Sequence, residues 1–518
     1  MRTTRLFAAL ISVLSTALAF AQAAPSDNGG TPAAAAAPAP PAETPKAEQS
    51  ATDHTVTIGG KAMAYTATAG TLLLRDDKDE ASALVGYTAY TLKGASDKSR
   101  RAITFAYNGG PGSSSLWLHM GVLGPRRIAT ADPEFNAPPP YKVVDNTESI
   151  IDATDLVMID PVGTGYSRAV GKHENKEFWG TDPDIESVSR FIYQYVSDHG
   201  RWNSPKYLLG ESYGTTRSAG VALHLHDKWG MDLNGVVLVS VALDLEAIFD
   251  WPGNDRPFPM FVPTFAATAW YHKKLPNPPA DLHAFLDEVR AWSLGEYTVA
   301  LAKGDRLSGA ERDAVAAKLH EYTGLPVEYI LQANVRVSEP QFTQELLRDQ
   351  RKNVGRLDSR FTGFIFDQHA EGAEYDPQSE AISPAFTAAF LDYYGQDLKF
   401  GAGRTYKVSG NVFPDWDFKH KIPGSFFPLP MANTGPDLAA AMGTNPHLKV
   451  LVLNGYFDLA TPFLASEYMF DHLGLSKELA ANIEMRYYEA GHMMYIHDPS
   501  LKLFKADVAE FIGRTSRQ

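Results

Sequence analysis

The chain has 518 residues, more than the roughly 250–300 at which a single hydrophobic core stops growing, so a large core with added structure is expected and a small binding module is excluded. Hydrophobic residues make up 44% and charged ones 21%, with 27 Phe, 23 Tyr and 8 Trp, which excludes a disordered chain. The 61 acidic residues against 47 basic ones (net charge -14) argue against nucleic acid as a partner, and the lack of any Cys leaves chemistry to Ser, His and carboxylates.

In chain order, residues 1–23 read as a secretory signal: Arg2 and Arg5, an apolar run from Leu6 to Phe20, then the small-x-small site Ala21-Gln22-Ala23. The run is too short for a hydrocarbon core about 30 Å thick, and no later segment has 18 uninterrupted apolar residues, so the mature chain is expected to be periplasmic or secreted, without a membrane span. Residues 24–51 form a Pro/Ala-rich linker. Order is expected near His54, where Thr55–Ile58 and Lys61–Thr68 flank Gly59-Gly60, a hairpin signal. Strand-like runs follow at Leu84–Leu92, Ala102–Tyr107, Asp155–Ile159, Lys206–Leu209, Gly235–Val241, Lys449–Leu453 and Ile483–Tyr488.

From Asp155 on, these runs are separated by helical stretches, which predicts an α/β class with a mostly parallel sheet covered on both faces. Residues 52–242 and 446–518 are read as the two parts of this core, and 243–445 as an inserted, mainly helical cap. Inside the cap, Ser308-Gly309-Ala310-Glu311 has the capping-box form ahead of Arg312–Tyr322. At the end of the chain Leu501, Phe504, Val508 and Phe511 keep helical spacing.

Gly210-Glu211-Ser212-Tyr213-Gly214 sits between a strand and an expected helix from Thr215 to Trp229, the context of a nucleophile elbow that lifts a Ser hydroxyl above a sheet edge. Ser needs a base and the base an orienting carboxylate. His492 and Asp458 follow consecutive late strands, in the order Ser, Asp, His. Asn108-Gly109-Gly110-Pro111-Gly112 follows the strand Ala102–Tyr107, and its backbone N–H groups, with that of Tyr213, can converge on an oxyanion. His224 and His226 are two apart on an expected helix and point to different faces, so no metal site is expected; no cofactor motif is present either.

Asn108–Ser115 (NGGPGSSS), Asp160–Ser167 (DPVGTGYS), Gly210–Gly214 (GESYG), the stretch around Asp458 and Gly491-His492-Met493 resemble, in order, the signature blocks of the serine carboxypeptidase family. The resemblance covers Ala102–Val241 and Lys449–Gly513. It implies an α/β-hydrolase fold, a triad of Ser212, Asp458 and His492, and an oxyanion hole from the N–H groups of Gly110 and Tyr213. It also implies that Asn108 and Glu211 bind the terminal carboxylate of peptide substrates. Three positions depart from the family: Ala106 where Trp is frequent, Met120–Pro125 without the Glu that partners the elbow Glu, and Met494-Tyr495 where Val-Pro is usual. The alternatives are an esterase or acyltransferase on the same scaffold, and a non-catalytic binding protein on a hydrolase fold. Oligomeric state is not legible.

Overall fold

Successive residues of a strand point to opposite faces of its sheet, and in the central strands of this chain both sets are apolar. Tyr207 and Leu209 face one core while Leu208 faces the other; Val237 and Val239 oppose Val236 and Leu238; Leu451 and Leu453 oppose Val450 and Val452. Such strands need helices on both sides.

The computed structural model describes residues 45–517. The expected leader (1–23) and the linker as far as residue 44 lie outside the described residues. The strands are β1 (Gln49–Ile58), β2 (Lys61–Arg75), β3 (Ala81–Leu92), β4 (Ala102–Tyr107), β5 (Arg126–Ile128), β6 (Val143–Asp145) and β7 (Thr154–Ile159). They continue with β8 (Arg168–Ala169), β9 (Lys206–Ser212), β10 (Gly235–Val241), β11 (Lys352–Val354), β12 (Thr362–Phe364), β13 (Lys449–Gly455) and β14 (Ile483–Tyr488). The main sheet runs β1-β2-β3-β7-β4-β9-β10-β13-β14, with β8 on β3. From β7 to β14 all pairs are parallel, and β1, β2 and β3 form an antiparallel edge.

Gly59 and Gly60, both at positive φ (55° and 77°), close the β1–β2 hairpin. Strand β1 starts at Gln49, earlier than the expected start of order at His54 and inside the stretch read as linker, because Gln49, Ser50 and Ala51 pair with Gly70, Ala69 and Thr68.

Helices Thr181–Asp198, Tyr213–Trp229 and Gly435–Thr444 cover one face, burying Phe191, Leu225 and Leu438. On the other face lie Asp498–Thr515, through Leu501, Phe504, Val508 and Phe511, and Pro377–Gln396, through Phe386 and Phe390. Helix Gly435–Thr444 belongs to the residues read as cap, yet Leu438, Ala441 and Met442 pack into the sheet core, so the insertion ends about ten residues before residue 445.

The insertion has its own core around Phe261, Phe265, Leu286, Leu319 and Phe342, shared with Tyr456 and Phe457 just before Asp458. It contains the capped helix Gly309–Thr323, with Ser308 accepting from Glu311 N–H, as its sequence predicts, and also the β11–β12 pair, which carried no readable strand signal. Helix Pro377–Gln396 docks on the sheet edge, where Thr88 Oγ1 and the Tyr394 hydroxyl are 2.6 Å apart and the Tyr90 and Tyr393 hydroxyls 3.1 Å apart. Insertion and core are therefore one body.

Candidate active site

Strand β9 passes directly into the helix Tyr213–Trp229, with Ser212 at the turn. Ser212 holds φ 60° and ψ -130°, a conformation that costs a non-glycine residue about 1–3 kcal/mol. Missing side chains make the turn possible: a Cβ on Gly210 would lie 2.2 Å from Gly214 O, and one on Gly109 would lie 2.4 Å from Tyr213 N. The loop Asn108–Gly112 thus sits against the first turn of the helix, whose N–H groups lack intrahelical acceptors and carry the positive end of the helix dipole. Asp160, from the DPVGTGYS stretch, anchors that loop by accepting from both N–H and Oγ of Ser115 at 2.8 Å.

Asp458 is fully buried and accepts from Ala460 N–H at 2.8 Å, Thr461 N–H at 2.9 Å and Thr461 Oγ1 at 2.6 Å. His492 Nδ1 donates to Asp458 Oδ2 at 2.8 Å, which fixes the Nδ1–H tautomer and leaves Nε2 as the acceptor. Burial pulls the His492 pKa down, but the Asp458 carboxylate and, behind it, Glu211 outweigh burial and hold it above the ordinary value. Ser212 and His492 line one cleft of about 300 Å³ together with Asn108, Gly110 and Glu211. No direct hydrogen bond joins Ser212 to His492; bonds of this kind tighten in the complex with substrate. Tyr213 points its side chain away, against Trp416.

Glu211 and Asn108 are both buried, and Asn108 Nδ2 donates to Glu211 Oε1 at 2.7 Å. Asn108 is itself held, its Oδ1 accepting from Leu118 N–H at 3.0 Å and its carbonyl from Arg217 at 2.8 Å. Arg217 is fully buried and paired with Asp184 at 2.7 Å. Burial pushes the Glu211 carboxyl up to about 7 against the opposing influence of His492, Tyr495 and Asn108.

Tyr495 was missed at the sequence level. Its buried hydroxyl, like Glu211 Oε2, has no hydrogen-bond partner among the described residues; it lies near enough to favour the Glu211 carboxylate, while its ring fills the space left by Gly121, where a Cβ would lie 2.4 Å from the ring. In the segment where the family carries a Glu partner, this chain makes room for a Tyr from the loop after His492. Thr461 and Arg356 were missed as well; the closeness of Thr461 to Asp458 was the one available signal. Among the described residues no cluster of three or more His, Asp or Glu could hold a metal, and no helix is long and apolar enough to cross a membrane.

A partly exposed Ser at a strained elbow, a His tied to a buried carboxylate and a glycine loop beside a helix start, all at the C-terminal ends of parallel strands, define an α/β-hydrolase. Residues 87–241 match the sequence model of the serine carboxypeptidase family. In fold it is similar to Kex1(delta)p, a prohormone-processing carboxypeptidase from Saccharomyces cerevisiae, at 17% identity and a TM-score of 0.54 over 86% of this chain and 91% of that one. The proline iminopeptidase of Mycobacterium smegmatis matches at 14% identity and a TM-score of 0.37, over 90% of this chain and 98% of that one. Comparison with curated proteins gives no match.

The loop carrying His492 is closely packed: His492 N–H donates to Leu357 O at 2.6 Å, and Gly491 N–H to Asp358 Oδ2 at 3.1 Å. A Cβ on Gly491 would lie 2.4 Å from both Leu357 O and Asp358 Cβ. Gly491→Ala is therefore expected to displace His492 and lower kcat on a p-nitrophenyl ester by roughly 100-fold, as about 1 Å of misplacement does, with the far-ultraviolet circular dichroism preserved.

Proposed function

We propose that the protein is an exported serine carboxypeptidase that releases C-terminal residues from peptides through an acyl-enzyme. The observation that supports it best is the buried Asn108–Glu211 pair lining the same cleft as Ser212 and His492. Ser212 Oγ attacks the scissile carbonyl and its proton passes to His492 Nε2. The N–H groups of Gly110 and Tyr213 take the oxyanion charge, and Asp458 stabilises the imidazolium. His492 then protonates the leaving amine, and water, deprotonated by the same imidazole, releases the acyl group.

Glu211 gives the reading its pH signature. Protonated below about 7, it donates to the substrate's terminal carboxylate alongside Asn108; ionised above that pH, it repels it. The three departures from the family, Ala106 among them, favour the second reading, an esterase or acyltransferase, and the pH profile separates the two.

Ser212→Ala should fold normally and lose roughly 10⁴-fold or more in kcat, and a fluorophosphonate should label the wild type once, on the peptide that contains Ser212. Full turnover by the variant rules the mechanism out. For peptides, kcat/KM should fall as pH rises through about 7, whereas amide-capped and ester substrates keep their activity, limited only on the acid side by protonation of His492. Glu211→Gln should abolish that alkaline fall for peptides. Coincident peptide and ester profiles in the wild type would move the esterase reading ahead. N-terminal sequencing of exported protein should begin at Ala24; retention of residues 1–23 would refute the cleaved leader.

A further inference from the structure

Arg356 belongs to none of the sequence motifs. It lies in the insertion, between the helices Glu339–Glu345 and Pro377–Gln396, yet it lines the cleft that holds Ser212 and His492. Its backbone is held on several sides. The N–H groups of Arg356 and Leu357 donate to Asp376 Oδ2 at 2.6 and 2.9 Å. Arg356 O accepts from Leu459 N–H at 3.0 Å, next to Asp458, and Leu357 O accepts from His492 N–H at 2.6 Å. The backbone that carries the guanidinium is therefore bonded to both loops that carry the Asp and His of the site, which holds the base of the side chain at the cleft wall. The guanidinium charge reaches the centre, where it is a minor influence against the net upward shift of His492 that Asp458 and Glu211 impose over burial.

The guanidinium is also underused. Its side chain keeps 46% of its accessible surface, and its one ion pair among the described residues is a 3.6 Å approach of Nε to Glu339 Oε2, too long for a good hydrogen bond. Burial pushes the Glu339 carboxyl up to about 7, so this partner is only partly ionised near neutral pH. Among the described residues Arg356 is the one permanent cation lining the cleft, whose wall also includes Ser379, Ser383 and Ser409. A planar fork of donors whose one carboxylate neighbour, Glu339, stays outside hydrogen-bond distance, in the cleft of a chain with net charge -14, is a local receptor for an anion that the rest of the molecule repels.

We propose that Arg356 binds a carboxylate of the substrate and selects for anionic substrates at this cleft. The inference rests on the reading of Ser212 as nucleophile. Two sources supply the same chemistry: the free C-terminal carboxylate, or the side chain of an Asp or Glu flanking the scissile bond.

The full-length protein and its Arg356→Gln and Arg356→Lys variants should be assayed on benzyloxycarbonyl-Phe-Leu and its amide, on benzyloxycarbonyl-Phe-Glu and its Gln counterpart, and on the benzyloxycarbonyl-Phe esters of glycolic acid and methyl glycolate. In Arg356→Gln the kcat/KM ratio of free acid to neutral analogue should fall about 10- to 100-fold, the size expected for losing a charged hydrogen-bond partner, with partial recovery in Arg356→Lys. A fall for every free acid assigns Arg356 to the terminal carboxylate. A fall confined to the Glu-against-Gln pair assigns it to an acidic side chain. Unchanged ratios, whether all rates hold or all drop together, overturn the proposal. If the wild type cleaves the esters and no peptide, the peptidase reading fails while the ester pair still decides the role of Arg356.

Discussion

At the end of β9 the strand, the following helix and the glycine loop after β4 approach one another through space that a Cβ would occupy. Gly210 lies against Gly214, Gly109 against the amide of Tyr213, and Gly214 against the carbonyl of Tyr107. This steric constraint places Ser212 at the C-terminal end of its strand with the Asn108–Gly112 loop beside it, at the cost of a strained φ of 60°. The parallel strands and their covering helices hold that turn closed, since Leu208 and Leu209 on one side of it and helix Tyr213–Trp229 on the other are buried in the two cores.

His492 is held by a different device. Asp458 and His492 follow neighbouring strands, so their juxtaposition comes directly from the β13–β14 pairing. The loops themselves are braced from outside the sheet by residues 356–360. Leu357 and Asp358 take the N–H groups of His492 and Gly491, and Asp358 is in turn buried against Arg360, which reaches Asp132 at 3.0 Å. Far from being only a roof over the cleft, the insertion orders the loops that carry Asp458 and His492 and contributes the Arg356 side chain to the cleft wall.

Electrostatically the site is a small closed system in an acidic protein. Asp458 is fully buried and satisfied by four donors, whereas Glu211 is buried with one oxygen bonded to Asn108 and the other facing Tyr495. The two carboxyl groups beside His492, one lining the cleft and one behind it, thus differ because their donors differ: the well-bonded Asp458 orients the imidazole, and the poorly bonded Glu211 is kept near the point of ionisation by burial.

Much of this was legible in the sequence, because it depends on local pattern. Runs such as Gly235–Val241 and Ala102–Tyr107 matched their strands to the residue, since a doubly covered strand is almost continuously apolar and is bounded by turn residues. Ser212, Asp458 and His492 could be singled out from their positions after strands, and the structure brings the first and last into one cleft with the second behind. Three things were decided only by the tertiary structure: the pairing of Gln49–Ala51 with β2, the assignment of helix Gly435–Thr444 to the sheet core, and the arrival of Tyr495 and Arg356 beside Glu211 and His492. Each depends on contacts between residues far apart in the chain, where side-chain shape and the space left by a distant glycine such as Gly121 choose the neighbour, and no local periodicity records that choice.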